Sequence, residues 1–196
     1  MINDVTKYKN AVKLFEERYG ALPGDVKAST IWTGASDGNE DTRIGLGTGN
    51  IIDITGEPTY AWQHLQLAQI LTINKNLALP ASKIDGTYFL FYDHPTNSTM
   101  YNRIGTYLSL SGIISSLPFY SGVNRVTATA IDSKIDDGIA SSGMVYSTRG
   151  DDKDKTCSGN NCKCVTNYWD SSISTNYIFT DETVSCRMIF WLNEIN

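Results

Sequence analysis

The chain has 196 residues and a formal charge of −5, with 41% hydrophobic and 19% charged residues, which suits one soluble domain with an ordinary core and argues against disorder or a coiled coil. An acidic balance with no Lys/Arg block longer than two lacks the electrostatic footprint of a nucleic-acid binder. No stretch reaches the roughly 18 apolar residues of a membrane span, and no apolar run at the start resembles a secretion signal.

Ile2, Val5, Tyr8, Val12, Phe15 and Tyr19 recur at steps of three and four, with Lys7, Lys9, Lys13, Glu16 and Glu17 between them, and predict an amphipathic helix. Gly20 is its expected left-handed cap, and Pro23 prevents renewal of the helix. The apolar stripe is already running at Ile2. Either Asn3 or Asp4 caps a shorter helix, or the natural helix extends upstream and this chain lacks that part. From Thr33 to Asn50 the composition turns to Gly, Asp, Asn and Thr, a surface loop. Glu57-Pro58-Thr59 then opens a second helix through Leu71. Tyr88 to Tyr92 and Tyr107 to Leu110 predict strands. A third helix is expected from Thr127 as N-cap, through Ile131 and Ile135, to a stop at Gly138. Met144-Val145-Tyr146 predicts a short strand, 149–168 a polar Cys-bearing loop, and Cys186 to Leu192 a terminal strand.

The candidate chemistry is thin. Gly34-Ala35-Ser36-Asp37-Gly38 matches a hydrolase nucleophile elbow, but no helix follows to stabilise an oxyanion, and the bases on offer are His64 and His94. Asp37, Asn39 and Asp41 alternate like the first ligands of a calcium loop, yet Thr42 and Thr48 stand where the EF-hand needs Gly and Glu. A solvated loop is the expected role there and at Asp151, Asp152 and Asp154, and an irregular oxygen site is the alternative. Gly45, Gly47 and Gly49 lack the Lys-Ser/Thr and the strand-to-helix setting of a phosphate cradle.

Asp132 and Asp136 share a helix face, as paired catalytic carboxylates would, and Asp137 adjoins them. At a helix C-terminus such residues are expected instead to cap the next turn or to pair with Lys134 or Arg125. Tyr168, Trp169 and Tyr177 could stack on sugar rings, the basis of an alternative reading as an exported carbohydrate-binding module. No catalytic residue and no cofactor are assigned.

Cys157, Cys162, Cys164 and Cys186 lie in the last forty residues, which predicts disulfides in an oxidising compartment. A zinc site is disfavoured, because Cys-x4-Cys-x-Cys is not a zinc knuckle and no His is near. Two pairings avoid bridging Cys162 to Cys164: Cys157–Cys162 with Cys164–Cys186, which is preferred, or Cys157–Cys164 with Cys162–Cys186.

Tyr8 to Asp25, ending in Leu22-Pro23-Gly24-Asp25, resembles the segment that follows the hydrophobic part of the N-terminal helix in bacterial type IV pilin-like proteins and type II secretion pseudopilins. Trp32 with its Gly-rich loop, Glu57, Trp62-Gln63-His64-Leu65-Gln66-Leu67-Ala68 and Leu79 to Ile84 are similar to the same proteins in order and spacing. So are Ile131 to Gly138 with Ser142-Gly143, and an ending of Cys164, Tyr168 and Cys186 to Leu192. The resemblance implies an α+β pilin-like roll, one domain over 1–196. Residues 1–20 would be the C-terminal part of a long helix and 21–196 the globular head. It implies that Ile2, Val5, Tyr8, Val12, Phe15 and Tyr19 face an antiparallel sheet. It further implies a filament subunit, anchored in the inner membrane by an upstream apolar helix and held in the periplasm or in an extracellular filament. Its partners would be other pilin-like subunits and the assembly machinery, and its work assembly rather than catalysis.

Overall fold

A computed structural model describes residues 1–45, 56–73, 79–94, 105–114, 117–149, 164–165, 176–177 and 184–192. The elements in chain order are helix α1 (Ile2–Tyr19), a 3-10 turn (Ala28–Thr30), helix α2 (Glu57–Leu67), strands β1 (Thr87–His94), β2 (Gly105–Ile114), β3 (Leu117–Tyr120) and β4 (Val123–Asn124), helix α3 (Arg125–Ile135), and strands β5 (Val145–Arg149) and β6 (Val184–Trp191). The six strands form one antiparallel sheet, so the chain is α+β.

The 3.6-residue period of α1 translates directly into burial, with Val5, Tyr8, Ala11, Val12 and Phe15 inside. Neither Asn3 nor Asp4 caps it, since both lie within the helix. Gly20 ends it at φ 70°, its N–H returning to the Glu16 carbonyl. Helix α2 stops at Leu67, four residues short of the sequence expectation. Gln69 turns left-handed at φ 59°, and the amides of Ile70 and Leu71 both fold back on the Leu65 carbonyl. Arg18 Nη1 of α1 donates to the Ala68 carbonyl at 3.1 Å, so one helix supplies part of the other's C-terminal cap. In α3 the cap is Asn124, whose side chain accepts from Thr127 N at 2.7 Å; Thr127 lies inside the first turn.

The central strands are β2 and β6, paired from Tyr107–Trp191 to Leu110–Met188. Beyond that point they part. The β3–β4 segment enters the gap, with Gly112 opposite Tyr120 on one side and Val123 opposite Cys186 on the other. Glycine permits the close approach here: a Cβ on Gly112 would lie 2.8 Å from the Ser121 carbonyl, and one on Gly122 would run into the Thr87 methyl. Strand alternation sorts the two faces. Leu108, Leu110, Met188 and Phe190 join the main core with Phe89 and Phe91, while Tyr107, Tyr146, Ile189 and Trp191 form a separate cluster. On that second face Arg187 Nε donates to Ser109 Oγ at 3.1 Å.

Aromatic rings join helices to sheet. Trp62 of α2 stacks on Phe91 at 4.1 Å between centroids, and Tyr8 of α1 meets Trp62 at 4.9 Å and Phe89 at 5.1 Å, both edge-on. Burying each such ring contributes about 2–3 kcal/mol. Of the six α1 residues expected against the sheet, Tyr8 makes this ring contact. Phe15 and Tyr19 pack on Trp32, and Phe15 also on His64, while Ile2 is only partly buried. Among the described residues no helix is long and apolar enough to cross a membrane.

Candidate functional site

A polar assembly forms where α1, the turn after it, α2 and the loop to Gly45 converge. Gly24 takes φ 97°, and its N–H donates to His64 Nδ1 at 2.9 Å, forty positions away in the chain. The other ring nitrogen, Nε2, donates to the Ser36 carbonyl at 2.8 Å. Both nitrogens are therefore committed to backbone, and the neutral Nε2–H tautomer satisfies both bonds. Burial pushes the His64 pKa down, only partly opposed by the Ser36 carbonyl and by Asp37.

That geometry leaves His64 unable to serve Ser36 as a base. The Nδ1 lone pair is occupied, and Nε2 addresses the carbonyl of Ser36 rather than its hydroxyl. Ser36 N–H donates to Gln63 Oε1 at 2.9 Å, which stitches the loop to α2 rather than building an elbow. His94 lies at the end of β1, where its side chain is outside the described residues.

Two acids are buried at the same junction, Asp25 at 3% and Glu57 at 8% exposure. Glu57 accepts Asn39 N–H at 2.8 Å and Gly45 N–H at 2.9 Å, so a carboxylate in the first turn of α2 gathers the loop. Asp25 Oδ2 accepts Thr42 N–H at 3.0 Å. Burial raises the pKa of both acids, and the backbone donors pull the other way. The three residues spaced like calcium ligands separate in space of role. Asp37 is spent on Ser29, accepting its N–H at 2.7 Å and its hydroxyl at 2.8 Å, whereas Asn39 and Asp41 bond each other beside Asp25 and Glu57. Gly47, Thr48 and Gly49 lie outside the described residues, as do Asp151, Asp152 and Asp154.

The second acidic group, Asp132, Asp136 and Asp137, holds ligand-type oxygens within 4.8 Å of one another. Its carboxylates close the turn from α3 to β5. Asp136 Oδ2 accepts the amides of Met144 and Val145, Asp137 accepts Ile139 N–H and the Ser142 hydroxyl, and Asp132 Oδ1 accepts Gly138 N–H at 3.1 Å. Capping is thus what these acids do, as the sequence leads one to expect. Gly143, at φ 67°, takes a left-handed conformation that L side chains rarely adopt.

Tyr177 is no platform for sugars. It is 4% exposed, its hydroxyl donates to Asp132 Oδ2 at 2.7 Å, and Ser147 Oγ bonds it at 2.7 Å. Tyr168 and Trp169 lie outside the described residues.

Asp132 is fully buried, and its burial pushes the pKa from 3.8 up to about 6 against the help of Tyr177 and Gly138. An acid whose folded pKa is raised gives up its proton first in the unfolded chain, so stability falls as pH climbs from about 4 to about 6. The span corresponds to about 3 kcal/mol. Urea unfolding across this window should show a steeper fall in the wild type than in Asp132→Asn, where Asp25 and Glu57 still contribute; equal slopes would place the titration elsewhere.

Cys164 and Cys186 form a disulfide with a Cα–Cα distance of 4.9 Å. It is one of the two bonds of the preferred pairing, and it excludes Cys157–Cys164 with Cys162–Cys186. Cys157 and Cys162 lie outside the described residues. Compared with protein-family models, with curated proteins and with solved structures, the chain matches none.

Proposed function

We propose that the chain is the globular domain of a type IV pilus-like or type II secretion pseudopilus subunit, which works by polymerisation and surface display. The observation that carries this reading is α1 with its exit. An 18-residue amphipathic helix lays one stripe on the core, and the turn that follows is tied to α2 by the Gly24–His64 bond. The residues so joined are those in which the resemblance is most specific, Leu22-Pro23-Gly24-Asp25 and Trp62-Gln63-His64-Leu65. The opposite face of α1 keeps Lys7, Lys9, Lys13, Leu14 and Glu17 outward, a surface that neighbouring subunits can pack against. The commitment of both His64 nitrogens to backbone and the backbone commitments of the Asp132 group favour assembly over hydrolysis.

In this reading the full-length protein is anchored in the inner membrane and the domain stands in the periplasm or in a filament, where a disulfide is stable. Antibodies raised against the domain should decorate filaments, and the chain should sediment with sheared filaments and with inner membranes. Recovery solely as a soluble monomer in periplasm or medium would overturn the proposal, as would a hydrolytic activity abolished by Ser36→Ala.

A further inference from the structure

We propose that His64 is an acid-operated latch: a second proton on its ring makes the turn after α1 let go of α2 at Gly24, while the loop that follows keeps its hold at Ser36. Geometry dictates this. The imidazole is fully buried, and its two nitrogens face backbone with opposite polarity, Nδ1 accepting the Gly24 N–H and Nε2 donating to the Ser36 carbonyl. The neutral Nε2–H ring serves both partners. A proton added at Nδ1 sets two donors, Nδ1–H and the Gly24 N–H, against each other across 2.9 Å, so that bond is lost and the Gly24 amide must find another acceptor. The bond from Nε2–H to Ser36 becomes charge-assisted and strengthens. One proton therefore acts with opposite sign on the two segments that the ring joins.

The groups around the ring leave this proton as the one that opens the junction. From α1, Phe15 stacks on the imidazole at 6.3 Å between centroids, and Trp32, from the segment after the 3-10 turn, lies at 6.3 Å; neither carries a charge. The charged group acting on the ring is the exposed Asp37, whose bonds to Ser29 hold its pKa below the ordinary carboxylate value, so it stays ionised while a histidine titrates. Asp25, beside Gly24, and Glu57, at the start of α2, accept amides of the 39–45 loop instead. Burial raises the pKa of both, so at those carboxyls acid favours the closed state. His64 has the contrary sign. Burial holds its pKa below the ordinary histidine value, so an opened ring takes the proton more readily than a closed one, and falling pH favours release. The opening is local. Gly38 N–H to the Val26 carbonyl and Glu40 N–H to the Asp25 carbonyl still tie the turn to the loop, and Arg18 still caps α2.

Nitrogen NMR of the imidazole and amide hydrogen exchange, read on the whole labelled chain from about pH 8 to about pH 4, test this directly. At the alkaline end the ring should be the neutral Nε2–H tautomer. As it titrates, protection of the Gly24 amide, taken relative to the free-peptide rate at each pH, should fall at least about tenfold with the midpoint of the ring. The Ser36 amide, held by Gln63, and the α1 amides should keep theirs. His64→Asn offers Gly24 an oxygen that gains no proton in this range and should keep the amide protected throughout, whereas Asp25→Asn should leave the transition in place. The wild-type comparison of ring and amide stands whatever the stability of His64→Asn. An Nδ1–H tautomer, a ring that stays neutral to the acid end, or Gly24 protection that ignores the ring titration would overturn the proposal. So would the same loss in His64→Asn, its disappearance in Asp25→Asn, or exposure of the Ser36 and α1 amides together with Gly24.

Discussion

Gly24→Ala should lower the thermal midpoint of the domain by about 12 °C, corresponding to about 4 kcal/mol. Two effects add. The backbone sits at φ 97°, where an L side chain is strained by about 1–3 kcal/mol. The new Cβ would also stand 2.7 Å from the Glu57 carbonyl and 3.2 Å from the Ala61 Cβ, so the turn must move off α2, at about 1–3 kcal/mol for overpacking. Moving off stretches the bond to His64 Nδ1 as well. Gly34→Ala is the control, because Gly34 has a comparable φ of 81° with nothing within 4 Å of a Cβ. It should show the strain alone. If the two variants melt together, the close contact of Gly24 with α2 is not what stabilises the junction.

Replacing Cys164 and Cys186 together by Ala should cost about 3 kcal/mol, the loop-closure entropy expected for a separation of 22 residues. Changing only this pair leaves the chemistry of the other two cysteines untouched. The loss should also be local. Cys186 lies on β6 where β4 joins it, and its carbonyl accepts Gly122 N–H at 3.0 Å. Hydrogen exchange of the Gly122 amide and of the β4–β6 ladder should therefore quicken, while the α1 amides keep their protection under conditions where the domain stays folded. A variant within about 1 kcal/mol of the wild type, or exchange that quickens equally in α1, would contradict this.

Legibility of the fold tracked how local each cause is. Helix α1 could be read because its stripe and its Gly20 cap are properties of neighbouring residues, and β1 because Tyr88 to Tyr92 is a dense run of β-formers. The β3 and β4 strands, four and two residues long, have no pattern of their own and exist because β2 and β6 part to receive them. The end of α2 depends on a left-handed Gln69 and on an arginine from α1, neither of which a window around Leu71 reveals. At the junction the sequence marked the right segments but not the bond between them. His64 looked like a possible base, and only the fold shows its two nitrogens taken by Gly24 and Ser36. Asp25 and Glu57 carried no spacing signal, since the loop that brings them together is made by tertiary contacts.

The links between α1 and the body of the domain have a mechanical meaning. The Arg18 bond to Ala68 and the Gly24 bond to His64 both cluster at the C-terminal end of the helix, and both terminate on α2 or the turn just after it. A pull along the helix axis at residue 2 would load the Val5 to Phe15 stripe and those two bonds together in shear. Contacts loaded together in shear resist far more than contacts opened one at a time, so detaching α1 from this end requires breaking the stripe and both bonds at once.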